Sequence, residues 1–299
     1  MACATSWTRG MAEPLLRLRD LRVAFPSSNG PLEAVRGVSF DIGREKVGIV
    51  GESGSGKSMT GRALLRLSPR AATVRAAEMR FDGIDLMAAS ERQLRAIRGG
   101  RISMILQDPK YSLNPLMRVG AQIMESCRLH QKVSKRVARD KAMAMLESVH
   151  IREPARVYDL FPHEVSGGMG QRIMIAMMLV TEPDLIVADE PTSALDVTVR
   201  RQVLSVLDEL VTRRGAGLVF ISHDLNLVAE FCDRVLVMYA GRVVEELHAA
   251  ELHNARHPYT QALLRSLPRL EEPAEVLAVP TRDPSWRDGP TYRFGELAA

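Results

Sequence analysis

Eight consecutive residues, Gly51, Glu52, Ser53, Gly54, Ser55, Gly56, Lys57 and Ser58, have the types and spacing to hold a polyphosphate. They match the pattern G-x-x-x-x-G-K-[ST] in full. Glycines let the backbone curl until successive N–H groups point inward at phosphate oxygens, and a helix starting there adds its positive end. Lys57 would reach the β- and γ-phosphates, and the Ser58 hydroxyl would ligate Mg²⁺. Asp189 and Glu190 close the apolar run Leu185 to Ala188. A carboxylate at the C-terminal end of a parallel strand lies where ligands bind in such sheets. Asp189 would hold Mg²⁺ through water, and Glu190 would accept a proton from the attacking water. Ser166, Gly167 and Gly168 place a hydroxyl and two glycines at a helix N-terminus, a second phosphate-binding nest. One site does not need two nests, but a dimer in which each chain completes the other's site does. Plainer readings stand beside these: a glycine-rich turn, a capped strand end and an ordinary N-cap.

The elements that must position these residues follow from periodicity and breakers. Residues 15–25 alternate apolar and polar, the period of a half-buried strand, and a turn is expected from Pro26 to Pro31. A second strand is expected over 33–42 and a short buried one over 45–51. A helix then runs from about Lys57 towards Pro69. Residues 101–106 read as another buried strand. From Pro109 to Pro162 the composition becomes helical and rich in Met, Lys and Arg, the pattern of an inserted helical subdomain. Helices over 168–180, 197–213 and 225–231 then alternate with strands over 185–189, 218–222 and 235–239. That alternation predicts an α/β fold with a parallel sheet covered on both faces.

Composition bounds the remaining possibilities. Charged residues make up 25% and the net charge of +4 is spread along the chain, without the basic block that nucleic-acid binding would want. Cys3, Cys127 and Cys232 are too few and too scattered for a disulfide or metal framework, and read as free thiols of a reducing compartment. No apolar run approaches the roughly 20 residues that span a bilayer. The first ten residues lack the apolar core of a secretory signal. Met11 is an alternative start to Met1, and an unstructured leader is expected over 1–14. The last 30 residues hold several prolines and little periodicity, so 266–299 is expected to be a tail of unassigned role.

In order and spacing, the phosphate loop, Ser166-Gly167-Gly168, Asp189-Glu190 and the Ser193-Ala194-Leu195-Asp196 loop resemble the ABC ATPase family over roughly residues 15–265. The resemblance implies a P-loop NTPase fold: a RecA-like parallel core, an antiparallel β-subdomain and a helical subdomain at about 107–165. It implies ATP with Mg²⁺ as the bound nucleotide, and Mg²⁺ arranged by Ser58, Gln107 and Asp189. Gln107 matches the glutamine that senses Mg²⁺ and the γ-phosphate, His223 the histidine that contacts the γ-phosphate, and Phe25 the aromatic that stacks on adenine. Asp196 falls in a loop the family places beside the shared nucleotide. Phe25 and His223 could equally serve the core or a strand end.

A narrower resemblance is carried by Gln107-Asp108-Pro109, Ser112-Leu113-Asn114-Pro115 with Val119-Gly120, and His257-Pro258-Tyr259-Thr260 followed by Ala262-Leu263-Leu264. These look like the dipeptide, oligopeptide and nickel import group. The implied role is an ATP-hydrolysing subunit, peripheral on the cytoplasmic side of a bacterial inner membrane. It would pair with a second, distinct ATPase subunit, drive two permease subunits and be fed indirectly by a solute-binding protein. Nickel chelates, opines or other small solutes are alternatives to peptides. A soluble ABC ATPase acting on DNA or ribosomes is an alternative of another class, which this chain does not favour because its insertion is short and it has one cassette. Two departures stand out. Gly170 replaces a usual basic residue, and the tail lacks a cysteine-containing ending, so no metal centre is inferred there.

Overall fold

The computed structural model describes residues 13–28, 30–193, 195–266 and 283–293. Strand β1 (Leu16–Phe25) pairs antiparallel with β2 (Leu32–Ile42), and β3 (Lys46–Val50) runs through the loop at 51–56 into helix α1 (Lys57–Leu64). Three short strands follow, β4 (Thr73–Arg75), β5 (Glu78–Phe81) and β6 (Ile84–Asp85), and with β1 and β2 they make a five-stranded antiparallel sheet. After α2 (Glu91–Ile97) and β7 (Ile102–Ile105) come four helices: α3 (Val119–His130), α4 (Lys135–Ser148), α5 (Pro154–Tyr158) and α6 (Gly167–Leu179). The chain then alternates through β8 (Leu185–Asp189), α7 (Val197–Arg214), β9 (Gly217–Ser222), α8 (Leu225–Phe231) and β10 (Arg234–Tyr239). It closes with β11 (Arg242–His248) and α9 (Pro258–Arg265).

The second sheet has the order β7-β8-β9-β3-β10-β11, parallel throughout except for β11 at its edge. Its central strands are apolar on both faces, which is why they read as near-continuous Val/Ile/Leu runs. In β9, Val219 and Ile221 face a core shared with α1 and the antiparallel sheet, while Leu218 and Phe220 face the helices α6, α7 and α8. The inserted helices have their own interior: Ile123 and Cys127 of α3 meet Ala138, Ala142 and Leu146 of α4, continuous with α6. Among the described residues, no helix is long and apolar enough to cross a membrane.

Three features depart from the periodicity reading. Helix α1 stops at Leu64, short of Pro69, because Arg66 turns left-handed (φ 51°). Leu67 N–H then closes on Arg62 O and Arg66 N–H on Ala63 O, the pair of bonds that ends helices in a Schellman turn. Strands β4, β5 and β6 are too short to show a period, and only the resemblance implied an antiparallel subdomain. Within the segment expected to be a tail, residues 283–293 return to the core. Tyr292 N–H donates to Val244 O and Glu246 N–H to Tyr292 O, extending the edge at β11. Of the leader expected over 1–14, only Glu13 and Pro14 fall within the described residues, and Cys3, Ala194 and 267–282 fall outside them. Cys127 and Cys232 are buried free thiols, and burial pushes the Cys232 thiol up to about 12.

Candidate nucleotide site

The phosphate loop leaves the C-terminal end of β3, in the middle of the parallel sheet. Gly51 adopts φ 151°, and a Cβ there would meet Met238 O at 2.1 Å, so no other residue fits this close passage over β10. Gly56 N-caps α1 at φ 99°, where a Cβ would meet Ala34 O at 2.5 Å. Ser53 and Gly54 are exposed at the tip, while Gly51, Ser55 and Lys57 are buried. Lys57 folds its ammonium back under the loop and donates to Gly51 O and Glu52 O, both at 2.8 Å. Burial lowers its pKa, and the charges of Glu190, Asp189 and Glu52 oppose that shift. Ser55 Oγ is buried and, among the described residues, has no hydrogen-bond partner. An orphan buried hydroxyl in a glycine-rich loop suits a ligand rich in acceptors.

Asp189 ends β8, with β9 between it and β3. Ser58 Oγ donates to Asp189 Oδ1 at 2.7 Å across that gap. The carboxyl is buried, which raises its pKa, and the Ser58 hydroxyl opposes the rise. Glu190 follows in the left-handed region (φ 48°), so its side chain leaves the strand direction and turns towards two neighbours. Gln107 Nε2, just past β7, lies 3.4 Å from Glu190 Oε2, and His223 Nδ1, just past β9, lies 3.2 Å from Glu190 Oε1. Gln107 and His223, 83 and 33 positions from Glu190 in the chain, thus meet on its carboxylate from two other strand ends. Phe25 sits at the end of β1, half-buried against the core shared by the two sheets.

The second nest lies apart from this cluster. Ser166 caps α6, its Oγ accepting from Met169 N–H at 3.3 Å, and Gly167 and Gly168 form the first turn. Ser166 and Gly167 are exposed. Ser166 borders a groove of about 730 Å³ lined by His150, Arg152, Arg172, Arg201 and Gln202, with no carboxylate among the described residues of its lining. Arg172 is drawn below its ordinary pKa chiefly by burial and then by the neighbouring Arg152, and among the described residues it bonds carbonyls of Gly168 and His150 and no carboxylate. Asp196 is exposed and caps α7, accepting from Thr198 and Val199 N–H at 3.0 Å each. Periodicity and the motifs did not foresee the part played by Gln171. Its buried Nε2 donates to Pro191 O at 2.5 Å, fastening α6 to the residue after Glu190.

A glycine-rich phosphate loop on a central parallel strand, with an acidic strand end beyond one intervening strand, defines a P-loop nucleoside triphosphatase. Residues 35–193 match the family model described as ABC transporter, and residues 244–291 match the oligopeptide/dipeptide transporter C-terminal region. The oligopeptide transport ATP-binding protein OppD of Bacillus subtilis is 44% identical over 92% of this chain and 78% of its own length. The dipeptide transport ATP-binding protein DppD of Escherichia coli is 46% identical over 88% of this chain and 81% of its own length. Among solved structures, the dimeric ATP-binding cassette MJ0796, in a post-hydrolysis state bound to ADP and Pi, superposes with a TM-score of 0.70. It is 26% identical, covering 78% of this chain and 98% of that one. The chain belongs to the ABC transporter family, as an ATP-binding and ATP-hydrolysing subunit. The second match also accounts for His257 to Thr260, whose His257 Nδ1 caps α9 by accepting from Tyr259 N–H at 3.1 Å.

Proposed function

We propose that this subunit hydrolyses ATP to drive uptake of di- and oligopeptides, seated peripherally on the cytoplasmic side of a bacterial inner membrane. The observation that carries the catalytic half is the Glu190 carboxylate held between Gln107 and His223. In this reading Lys57 and the amides of Ser53, Gly54 and Gly56 to Ser58 hold the β/γ-phosphates, and Phe25 stacks on adenine. Glu190 takes a proton from the water that attacks in line, and His223 steadies the γ-phosphate end. The Ser58 hydroxyl, the Asp189 carboxylate and the Gln107 amide oxygen are hard oxygen donors of the kind Mg²⁺ accepts, and the first two already lie 2.7 Å apart. When bound, Mg²⁺ neutralises charge on the β- and γ-phosphate oxygens. There is little covalent work for the protein, so rate comes from positioning and charge stabilisation.

Ser166, Gly167, Gly168 and Asp196 complete the nucleotide site of a second ATPase subunit, which we read as a related but distinct chain. The cationic groove beside Ser166 supports an anionic occupant supplied from outside. Two permease subunits and, indirectly, a solute-binding protein complete the importer. Leu116, 85% exposed at the entry to the inserted helices, supports contact of that lobe with a permease. The peptide solute is supported by the names of the relatives. The test is uptake by cells carrying this subunit with its neighbouring permease and binding-protein genes. Accumulation of labelled di- or tripeptide that stops with Glu190→Gln is expected. ATP-dependent accumulation of a nickel chelate or an opine in place of peptide would overturn the solute.

A further inference from the structure

The peptide unit joining Gly51 to Glu52 is gripped from both sides. A trans peptide points its N–H and its C=O in opposite directions. Here the C=O, Gly51 O, accepts from Lys57 Nζ at 2.8 Å, while the N–H, that of Glu52, donates to the Tyr259 hydroxyl at 3.0 Å. Gly51, at one end of this unit, has a φ of 151°, where side-chain-bearing residues are strained.

The tyrosine itself is rigidly held. Its side chain is fully buried, its ring centroid 4.5 Å from that of Tyr239 and 5.9 Å from that of Trp286. Its backbone lies in the first turn of α9. The N–H groups of Arg256 and His257, just before that turn, donate to the buried Glu245 carboxylate at 2.6 and 3.2 Å. Trp286 belongs to the segment 283–293, which is fastened to β11 through Tyr292 and to Arg36 through Asp288. The C-terminal region therefore forms a clasp whose innermost atom is the Tyr259 oxygen.

We propose that Tyr259 is a positioning residue for nucleotide binding: it holds the Gly51–Glu52 peptide with its carbonyl on Lys57 and its amide turned away from the phosphates. An ammonium has three N–H donors. Two are spent on Gly51 O and Glu52 O, which leaves the third for a phosphate oxygen while both carbonyl bonds stay made. The plane is thus fixed at its carbonyl by Lys57 and at its amide by Tyr259, and losing either bond loosens the carbonyl that aims the ammonium. This inference rests on the reading of residues 51–58 as the phosphate loop and deepens it.

The test uses the full chain and its assembled complex. Tyr259→Phe removes one oxygen and should raise the Kd for MgADP and the KM for ATP about three- to tenfold, the range of one net hydrogen bond. kcat should stay within about twofold, because Glu190, Gln107 and His223 stand on other strands. Lys57→Ala, titrated in parallel, separates the two ideas. Unchanged affinity there would sink the phosphate-loop reading, whereas lost affinity there with unchanged affinity in Tyr259→Phe would sink the clasp alone. Hydrogen exchange of the Glu52 amide in the wild type gives an answer independent of any variant. Protection retained on adding MgADP is expected, and fast exchange on nucleotide binding would overturn the proposal.

Discussion

Around Lys57 the expected side chains find one another within this chain: Lys57 on the loop carbonyls, Ser58 on Asp189, Gln107 and His223 on Glu190. Around Ser166 the side chains do only local work, capping α6 and α7, and the charge beside them is positive and uncompensated. Both regions are built on helix N-termini and glycines, yet one is internally closed and the other faces outward. The difference teaches that phosphate-binding geometry alone does not make a site. Whether the opposite charges are supplied by the same chain decides if a nest serves its own nucleotide or a neighbour's.

The comparison breaks most visibly at Glu190. Glu190→Gln keeps the shape of the closed region but removes the proton acceptor, and should lower ATPase activity of the complex by roughly 10²–10⁴ with nucleotide affinity kept. Activity within about threefold of wild type would mean that the carboxylate between Gln107 and His223 is not the base. Ser166→Arg probes the open region. It adds bulk and a cation to an already cationic rim, and should lower ATPase of the complex by about tenfold or more while the isolated chain binds nucleotide as before. Binding lost in the isolated chain would show that the two regions are one site. The smallest effect has opposite signs in the two regions. Asp189 is raised above its unfolded pKa by burial, so its contribution is favourable at low pH and is lost as pH rises through the folded pKa. At neutral pH without nucleotide its charge is a cost, and Asp189→Asn should raise Tm by about 2–4 °C. Ser166→Ala, which loses a cap and relieves no charge, should lower Tm by a similar amount. Equal signs in calorimetry would remove this distinction.

The closed region was legible where its chemistry is contiguous. Residues 51–58 carry their pattern within one loop, and the apolar runs ending at Val50 and Asp189 show the strands that hold them. The meeting of Gln107, Glu190 and His223 was legible only through resemblance, because it depends on the order of β7, β8 and β9 in the sheet and on the left-handed turn at Glu190. Strands of two to four residues such as β4, β5 and β6 leave no period to read. The return of 283–293 was hidden for another reason. A proline-rich stretch looks like a tail until Trp286 finds Tyr239 and Tyr259, and such distant contacts leave no local trace. The bond from Gln171 to Pro191 joins side chain and backbone 20 positions apart and was visible only in three dimensions.

That last bond has a mechanical consequence. Gln171 sits one turn into α6, whose tip carries Ser166, and Pro191 is covalently next to Glu190. A hydrogen bond of 2.5 Å joins these two buried anchors directly. On the proposed function, a tilt of the tip would reach the Glu190 backbone through this bond, as one gear turns the next. Two such chains in contact would run as a geared pair rather than as two independent motors, each setting the other's stroke.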